Sequence, residues 1–388
     1  MVSNITSKIK YIGVDDLDID LFESQYDVPN GMSYNSYLIL DEKVAIMDTC
    51  DQRKADEWKK NLAEGLEGRT PDYLVIHHME PDHAALAAEV LEMFPEITIV
   101  SSHKALQMMP QFFENICLDG RTLEVGEGST LSLGEHTLTF CTAPMVHWPE
   151  VIVSYDDVDK VLFSADAFGK FGALSADEDW ACEARRYYFN ICGKYGPQVT
   201  RLLEKAAALD IKTICPLHGP ILTENLDYYL GLYKTWGAYD VETKGVLVAY
   251  ASIHGGTKAA AEYLADLLRQ KGAGKVAITD LSRDDMAEAV EDAFRMGHMV
   301  LAAASYDGNV FPPMHDFLHH LQMKGYQNRR VAIVENGSWA PTAGKIMRQM
   351  LECMKEIEIV EPVVTILSRM KEADKPKLEA LADSLLAK

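Results

Sequence analysis

The sequence predicts an α/β protein of two domains: a layered sheet-and-helix unit over residues 1–245, then a doubly wound parallel sheet over 246–388. Strand pairs mixed with helical stretches fill the first part, the pattern of sheets covered by helices. At Tyr239-Asp240-Val241-Glu242-Thr243-Lys244-Gly245 the chain turns polar, then enters the buried-strand run Val246-Leu247-Val248-Ala249-Tyr250. From there on, three apolar strands each run into a loop of hydroxyl, amide and glycine residues, as at the ligand edge of an open parallel sheet.

Taken in order, residues 8–48 read as largely strand, with 36–40 and 44–48 divided by the turn-forming Asp41-Glu42-Lys43. A helix is expected over 54–63, a short buried strand over 73–76 and a helix over 84–93. Further strands are expected at 97–100, 137–141, 151–155 and 161–164. The stretch that organises this half is Val75-Ile76-His77-His78-Met79-Glu80-Pro81-Asp82-His83. Pro81 disfavours a continued helix, so these polar residues are expected on a loop at the strand's end. Two imidazoles and two carboxylates on one small turn, His78, Glu80, Asp82 and His83, repel one another or stay poorly solvated unless positive charge lies among them. A metal centre meets that need. The competing account is a solvated loop, which is the better one for any single histidine but not for the H-x-E-x-D-H set. His77 alternates to the opposite side of an extended segment and reads as structural. His147, Asp166 and His218 each arrive where a strand gives way to a loop, a placement that lets all of them converge on one edge of the sheets.

With 48% hydrophobic and 25% charged residues, the chain has an ordinary globular composition. A formal charge of −22 argues against a nucleic-acid partner, which needs a basic face. The 7 cysteines are odd in number and include no C-x-x-C, which fits reduced thiols better than a disulfide frame or a thiolate-held metal. No apolar segment of signal-peptide length opens the chain and no run could span a bilayer. The expectation is a cytoplasmic protein without a membrane partner.

The layout of the first half resembles the metallo-β-lactamase fold, an αββα sandwich whose metal loop reads H-x-H-x-D-H. Glu80 stands at the second histidine position, and in that departure the chain is similar to the flavodiiron proteins. The resemblance implies two irons (a diiron site): one held by His78, Glu80 and His147, the other by Asp82, His83 and His218, with Asp166 bridging them. Residue chemistry points the same way, since an oxygen-and-nitrogen set without cysteine suits Fe, Mn or Zn and its carboxylates favour a hard redox ion.

In the second half, the run from Val246 leads into Ala251-Ser252-Ile253-His254-Gly255-Gly256-Thr257 and a helix with Ala260, Leu264, Leu267 and Leu268 on one face, closed by Gly272. Strand, glycine-and-hydroxyl loop, helix makes a phosphate cradle, although a tight structural turn has the same pattern. Two further strand ends run into Ser305-Tyr306-Asp307-Gly308-Asn309 and Glu335-Asn336-Gly337-Ser338-Trp339, and the G-x-G-x-x-G of dinucleotide sites is absent. This pattern resembles a short-chain flavodoxin. The resemblance implies FMN, with Ser252, Ile253, His254, Gly255, Gly256 and Thr257 around its phosphate. Ser305, Tyr306, Asp307, Gly308 and Asn309, with Asn336, Gly337, Ser338 and Trp339, would flank the isoalloxazine. His254 stands where flavodoxins carry a hydroxyl residue, and Trp339 serves either the flavin ring or a core or interface. A last amphipathic helix, with Leu378, Leu381, Ala382 and Leu385, is expected to close one face of the sheet. With no rubredoxin-like extension expected, the resemblance covers the chain as an A-type flavodiiron protein.

The activity so implied is that of an oxidoreductase taking O2 to water and/or NO to N2O at the diiron site, with electrons delivered through FMN. Tyr195 resembles a family residue near the iron pocket and would be catalytic by donating a hydrogen bond to substrate; a packed tyrosine is the competing account. The family further implies rubredoxin or a similar small electron donor, and a head-to-tail homodimer or dimer of dimers. A first domain with a radius of gyration of roughly 18 Å would otherwise separate a flavin from the irons of its own chain. Two rivals stand beside this reading. One is a zinc hydrolase of the metallo-β-lactamase superfamily, against which Glu80 and the flavin loops count. The other is a flavodoxin-like electron carrier, for which the second half alone would suffice.

Overall fold

The computed structural model describes residues 2–114 and 116–387, so Met1 and Lys388, the outer limits of the two expected domains, lie outside the described residues. The chain forms two compact units, Met1–Tyr188 with Pro197–Lys234, and Phe189–Gly196 with Thr235–Lys388.

In the first unit a seven-stranded sheet runs in the order Ser3–Asn4, Ile9–Tyr11, Tyr37–Leu40, Val44–Met47, Tyr73–Val75, Thr98–Ser102 and Thr122–Val125. A five-stranded sheet follows: Thr130–Ser132, Thr137–Thr142, Ile152–Asp156, Val161–Phe163 and Thr213–Cys215. One core joins the inner faces, with Ile39, Met47, Val75 and Val100 from the first sheet against Leu138, Phe140, Ile152 and Phe163 from the second. Alternate residues of each strand reach this core, which is why short strands suffice and register is firmly set. Strands Val44–Met47, Tyr73–Val75 and Thr98–Ser102 are parallel, and each is followed by a helix; Val161–Phe163 and Thr213–Cys215 are likewise parallel. Their carboxyl ends release the polar stretches singled out above. The 84–93 helix appears as two pieces, Pro81–Ala84 and Ala87–Met93. The first of these corrects the expectation of a loop at Asp82 and His83. Proline lacks an N–H and so breaks a helix interior, but at the first helical position that N–H has no partner to lose, and Pro81 starts the turn instead.

The second unit is a doubly wound sheet whose parallel strands run Lys275–Asp280, Thr243–Ala251, Met296–Tyr306, Arg329–Asn336 and Ile357–Ile366. Helices Gly256–Gln270 and Lys375–Leu386 cover one face, through Ala260, Leu264, Leu268, Leu378, Leu381 and Leu385. Strands buried on both faces read as unbroken apolar runs, as Val246 to Ala251 does. Ser305 and Tyr306 end the third of these strands, and Asp307-Gly308 turns it back into Asn309–Val310. Both turn residues have positive φ, 49° and 73°, so this stretch is a tight hairpin rather than an open loop. No disulfide forms among the described residues, and no described helix is long and apolar enough to cross a membrane.

Candidate functional site

The first unit gathers all seven expected metal-site residues. His78, Glu80, His147 and Asp166 form one group and Asp82, His83 and His218 a second; within each, one nitrogen or oxygen per residue lies within 4.8 Å of all the others. Glu80 precedes the short helix but makes no capping bond with its carboxylate. Its Oε2 instead lies 3.2 Å from His78 Nε2 and 3.0 Å from His147 Nε2. Asp166 follows Ala165, whose left-handed φ of 51° turns the chain out of strand Val161–Phe163. That turn is tied by Ser164 Oγ donating to the Ala167 carbonyl at 2.7 Å, and by Leu217 N donating to the Ala165 carbonyl at 2.9 Å.

His218 owes its place to polar residues far away in sequence. Asn35 Nδ2 donates to the carbonyls of Pro216 and Gly219, Tyr37 Oη to that of Pro216, and His218 Nδ1 lies 2.7 Å from the Ser33 carbonyl oxygen. Behind the histidine pair, Asp48 accepts the His77 N–H at 2.7 Å and faces Nδ1 of the same ring, whose Nε2 meets Ser154 Oγ at 2.8 Å. His77 is therefore committed to a buried network of its own, which locks the peptide leading into His78. Glu150 plays the corresponding part for the ring of His78, with Oε1 2.7 Å from Nδ1 and 2.9 Å from the Met79 N–H that donates to it. The sequence reading passed over Glu150; an acid three residues after His147, at the head of the buried strand Ile152–Asp156, was the available signal.

The electrostatics call for a cation. Burial would lower the His147 imidazole, but Asp166 and Glu80 beside it carry it up to about 9. His78 and His83 are likewise held above their ordinary value by neighbouring carboxylates, against burial. Burial would raise Asp166, yet the imidazoles around it hold it well below the usual range. Both oxygens of Asp82 and of Asp166, both ring nitrogens of His83 and Nε2 of His218 are buried, and none meets a partner in hydrogen-bond geometry among the described residues. They nevertheless crowd together, His218 Nε2 standing 3.2 Å from Asp82 Oδ2 and His83 Nε2 3.1 Å from Asp166 Oδ1. Donor atoms that approach without bonding one another are arranged as ligands around an ion, and a metal would replace the protons the imidazoles otherwise hold. The contrast is His136 with Asp156 and Asp159, where His136 Nδ1 meets Asp156 at 2.9 Å, the Asp159 N–H bonds the other oxygen, and nothing is left over.

A cavity of about 400 Å³ opens onto this site, lined among others by Phe22, Glu23, Tyr34, Asp51, Glu80 and Asp82. Phe22 comes from the hairpin Leu21–Phe22/Tyr26–Asp27 and packs edge-on to His218 at 5.5 Å. Glu23 at the hairpin tip is pushed up to about 7 by burial and by Glu80. Tyr187, also unread in the sequence, packs against His218 at 5.6 Å.

In the second unit the residues expected at the flavin stand together at the carboxyl edge of the sheet. Gly255, with φ of 82°, precedes the helix Gly256–Gln270, and its N–H donates to Ser252 Oγ at 3.1 Å. Asn336 Nδ2 donates to Thr257 Oγ1 and to the Ser368 carbonyl, while the Ser368 N–H donates back to Asn336 Oδ1. Ser368, after strand Ile357–Ile366, is thus a further member of the loop cluster that the sequence did not disclose. Ser305 Oγ accepts the N–H groups of Thr342 and Ala343, so its hydroxyl serves the start of helix Ala343–Glu352. Ile253, His254, Tyr306, Asp307, Gly308, Asn309, Gly337, Ser338 and Trp339 remain on the rim, Ser338 Oγ accepting from Ser368 Oγ at 2.8 Å. Trp339 is 92% exposed, which removes the core account of it. With Ile253, Tyr306 and Leu367 it leaves a rim of exposed apolar side chains suited to a flat aromatic ligand. Tyr195 closes the turn Gly193–Tyr195, in the segment that packs with the second unit, with Lys194 Nζ 5.9 Å from its ring centre.

Residues 32–219 match the ODP family beta lactamase. The nitric oxide reductase of Moorella thermoacetica is 28% identical over 372 residues, 93% of this chain and 92% of that protein. Diflavin flavoprotein A 1 of Synechocystis is 31% identical over 306 residues, 76% of this chain; there the chain spans only 52% of the relative's length. The rubredoxin oxygen:oxidoreductase of Desulfovibrio gigas superposes with a TM-score of 0.93 at 25% identity, over 99% of this chain and 98% of that one. The flavodiiron protein of Giardia intestinalis does so at 0.92 and 23% identity, covering 99% and 96%. A β-lactamase-type half with seven converging histidine and carboxylate side chains, continued into a flavodoxin-like half, runs nearly the full length of the Moorella, Desulfovibrio and Giardia proteins, and the chain belongs to the flavodiiron protein family.

Proposed function

We propose that this protein is an oxidoreductase reducing O2 to water and/or NO to N2O, with two irons in the first unit and FMN in the second, the functional division falling at 245/246. The observation that carries the reading is the double cluster: seven side chains, six of them buried, whose donor atoms converge, with those of Asp82, His83 and Asp166 and the Nε2 of His218 left without hydrogen-bond partners among the described residues. His78, Glu80 and His147 would hold one iron and Asp82, His83 and His218 the other, Asp166 facing both. When bound, the irons and FMN would supply the electrons: four, with four protons, for O2 to two waters; two, with two protons, for two NO to N2O and water.

The chain's own residues shape what reaches that site. Phe22, perpendicular to the His218 ring, and Tyr187, tilted against it, pack on His218 and would limit the access of bulk water to it. The cavity mouth carries Asp20, Glu23, Asp51, Glu80 and Asp82 against a single cation, Arg53. Such a mouth admits a small neutral diatomic and disfavours the anionic substrates that zinc hydrolases of this superfamily commonly take. The flavodoxin-like half counts against the hydrolase as well, and the first unit's buried ligand set counts against a simple electron carrier. Tyr195 is proposed as a hydrogen-bond donor to substrate, Ser252 to Thr257 as the FMN phosphate loop, and the Ser305 and Asn336 loops as flavin flanks. A rubredoxin-type donor, a head-to-tail homodimer or dimer of dimers, and a cytoplasmic location complete the proposal; the named relatives include a rubredoxin oxygen:oxidoreductase.

The test is metal analysis and the visible spectrum of purified protein, followed by anaerobic reduction and exposure to O2 or NO. The expected result is two irons per chain, a flavin spectrum, and rapid reoxidation by at least one of the gases. Zinc without a yellow chromophore would establish the hydrolase instead.

A further inference from the structure

We propose that Glu150 is a positioning residue that makes the His78–Glu80–His147 cluster the tighter of the two metal subsites; this rests on reading the two clusters as metal subsites. In formal inventory the subsites are equal: two imidazoles and one carboxylate each, with Asp166 shared. What differs lies behind the rings. His78 Nδ1 faces the Glu150 carboxylate at 2.7 Å, whereas His218 Nδ1 faces the Ser33 backbone carbonyl at the same distance. Either acceptor fixes the Nδ1–H tautomer and presents Nε2 to its cluster. Only the first adds a full negative charge.

That charge is neither screened nor spent elsewhere. Glu150 is buried, its Oε1 accepts from the His78 ring and the Met79 N–H, its own backbone N–H also favours the carboxylate, and its Oε2 has no hydrogen-bond partner among the described residues. In so dry a setting a carboxylate acts on a neighbouring cation far more strongly than at the surface. Other acids do not undo the asymmetry. Glu23 lies beside Glu80 and Asp51 beside Asp82, one near each cluster, and both line the open cavity, where solvent screens them as it does not screen Glu150. A carboxylate behind a ligating imidazole also makes it a stronger donor, and removing such a partner typically costs about 10–100-fold in metal affinity.

The experiment titrates metal-free protein with Mn2+ against a competing chelator, and locates the ion by anomalous scattering in crystals given one equivalent. The wild type is expected to bind two ions in unequal steps, the first equivalent lying at the His78 cluster. Glu150→Gln keeps an acceptor oxygen for both N–H groups and removes the charge. Its tighter step is expected to weaken by about 10–100-fold with the weaker step unchanged, so that the preference between clusters shrinks or reverses; Glu150→Asp regains part of it. Near-UV circular dichroism and FMN content report whether the variants are folded. If Glu150→Gln does not fold, the placement of the first equivalent in the wild type decides by itself. Unchanged binding steps in folded Glu150→Gln, or a first equivalent at the Asp82 cluster of the wild type, would overturn the role of Glu150. A wild-type chain that binds no pair of ions would instead sink the metal reading on which it rests.

Discussion

Asp166 Oδ1 lies 3.1 Å from His83 Nε2, while its other oxygen is turned toward the opposite cluster, 3.2 Å from His147 Nε2. One buried carboxylate thus faces both groups, a position from which it would offset the repulsion between two cations bound there. Asp166→Ala is expected to cut metal content from two ions per chain toward one or none. It should lower O2 or NO turnover by more than the ~10–100-fold typical of losing an outer partner. Metal analysis beside steady-state rates checks it, and a variant that keeps two ions and full rate contradicts the bridging role.

Tyr195 is the proposed substrate donor. Removing one hydrogen bond of ordinary strength should slow turnover by roughly 3–10-fold in Tyr195→Phe, with iron and FMN content unchanged. An unaltered rate would leave it as a packed residue.

Gly256 is required by a close approach: a Cβ there would stand 2.1 Å from the Ser368 carbonyl oxygen. Because that oxygen is backbone and is already bonded to Asn336, it cannot yield without moving the loop. Overpacking of this kind costs ~1–3 kcal/mol, so Gly256→Ala is expected to weaken FMN retention by roughly 5–150-fold, read by fluorescence titration of flavin-depleted protein. The metal content should not change.

Glu127 supplies a pH dependence remote from the metal site. Although burial raises it, Lys205 and Thr142 bonded to its carboxylate hold it down to about 2. A folded-state pKa below the unfolded one stabilises above the unfolded value and loses that stability as pH falls through the folded value. Wild type should therefore unfold at higher temperature than Glu127→Gln at pH 7, and the gap should close steadily between about pH 4.5 and pH 2. A gap that widens on acidification would contradict the sign. Since Glu127 is half exposed, the difference will be modest.

Arg329 is buried in the second unit and its guanidinium donates to the carbonyls of Met296, Tyr239, Asp240 and Phe294. It holds the segment that enters strand Thr243–Ala251. Arg329→Met would leave several buried carbonyls without donors, at ~1–3 kcal/mol each. The expected outcome is a loss of about 3 kcal/mol or more in the unfolding of this unit, followed in denaturant by its flavin signal.

The boundary between what the chain order determines and what the fold decides runs through particular residues. H-x-E-x-D-H and the three later acids and histidines were legible because liganding needs specific side-chain types at strand ends, and residue type is what a sequence states directly. The parallel sheet of the second half was legible for a similar reason, since strands covered on both faces must be apolar throughout. Pro81 was readable as a breaker but not as a starter, because the two roles differ only in whether a helical carbonyl one turn earlier would have accepted the N–H that proline lacks. Glu150, Ser33, Asn35, Tyr37 and Ser368 carried no local signal. Each acts on a loop distant in the chain, and only packing of the sheets brings a carboxylate behind His78 and a carbonyl behind His218. The sequence alone therefore determined which side chains are candidate ligands. Tertiary structure decided how they are aimed and how unequal the two clusters are, because orientation and buried charge depend on neighbours that only folding supplies.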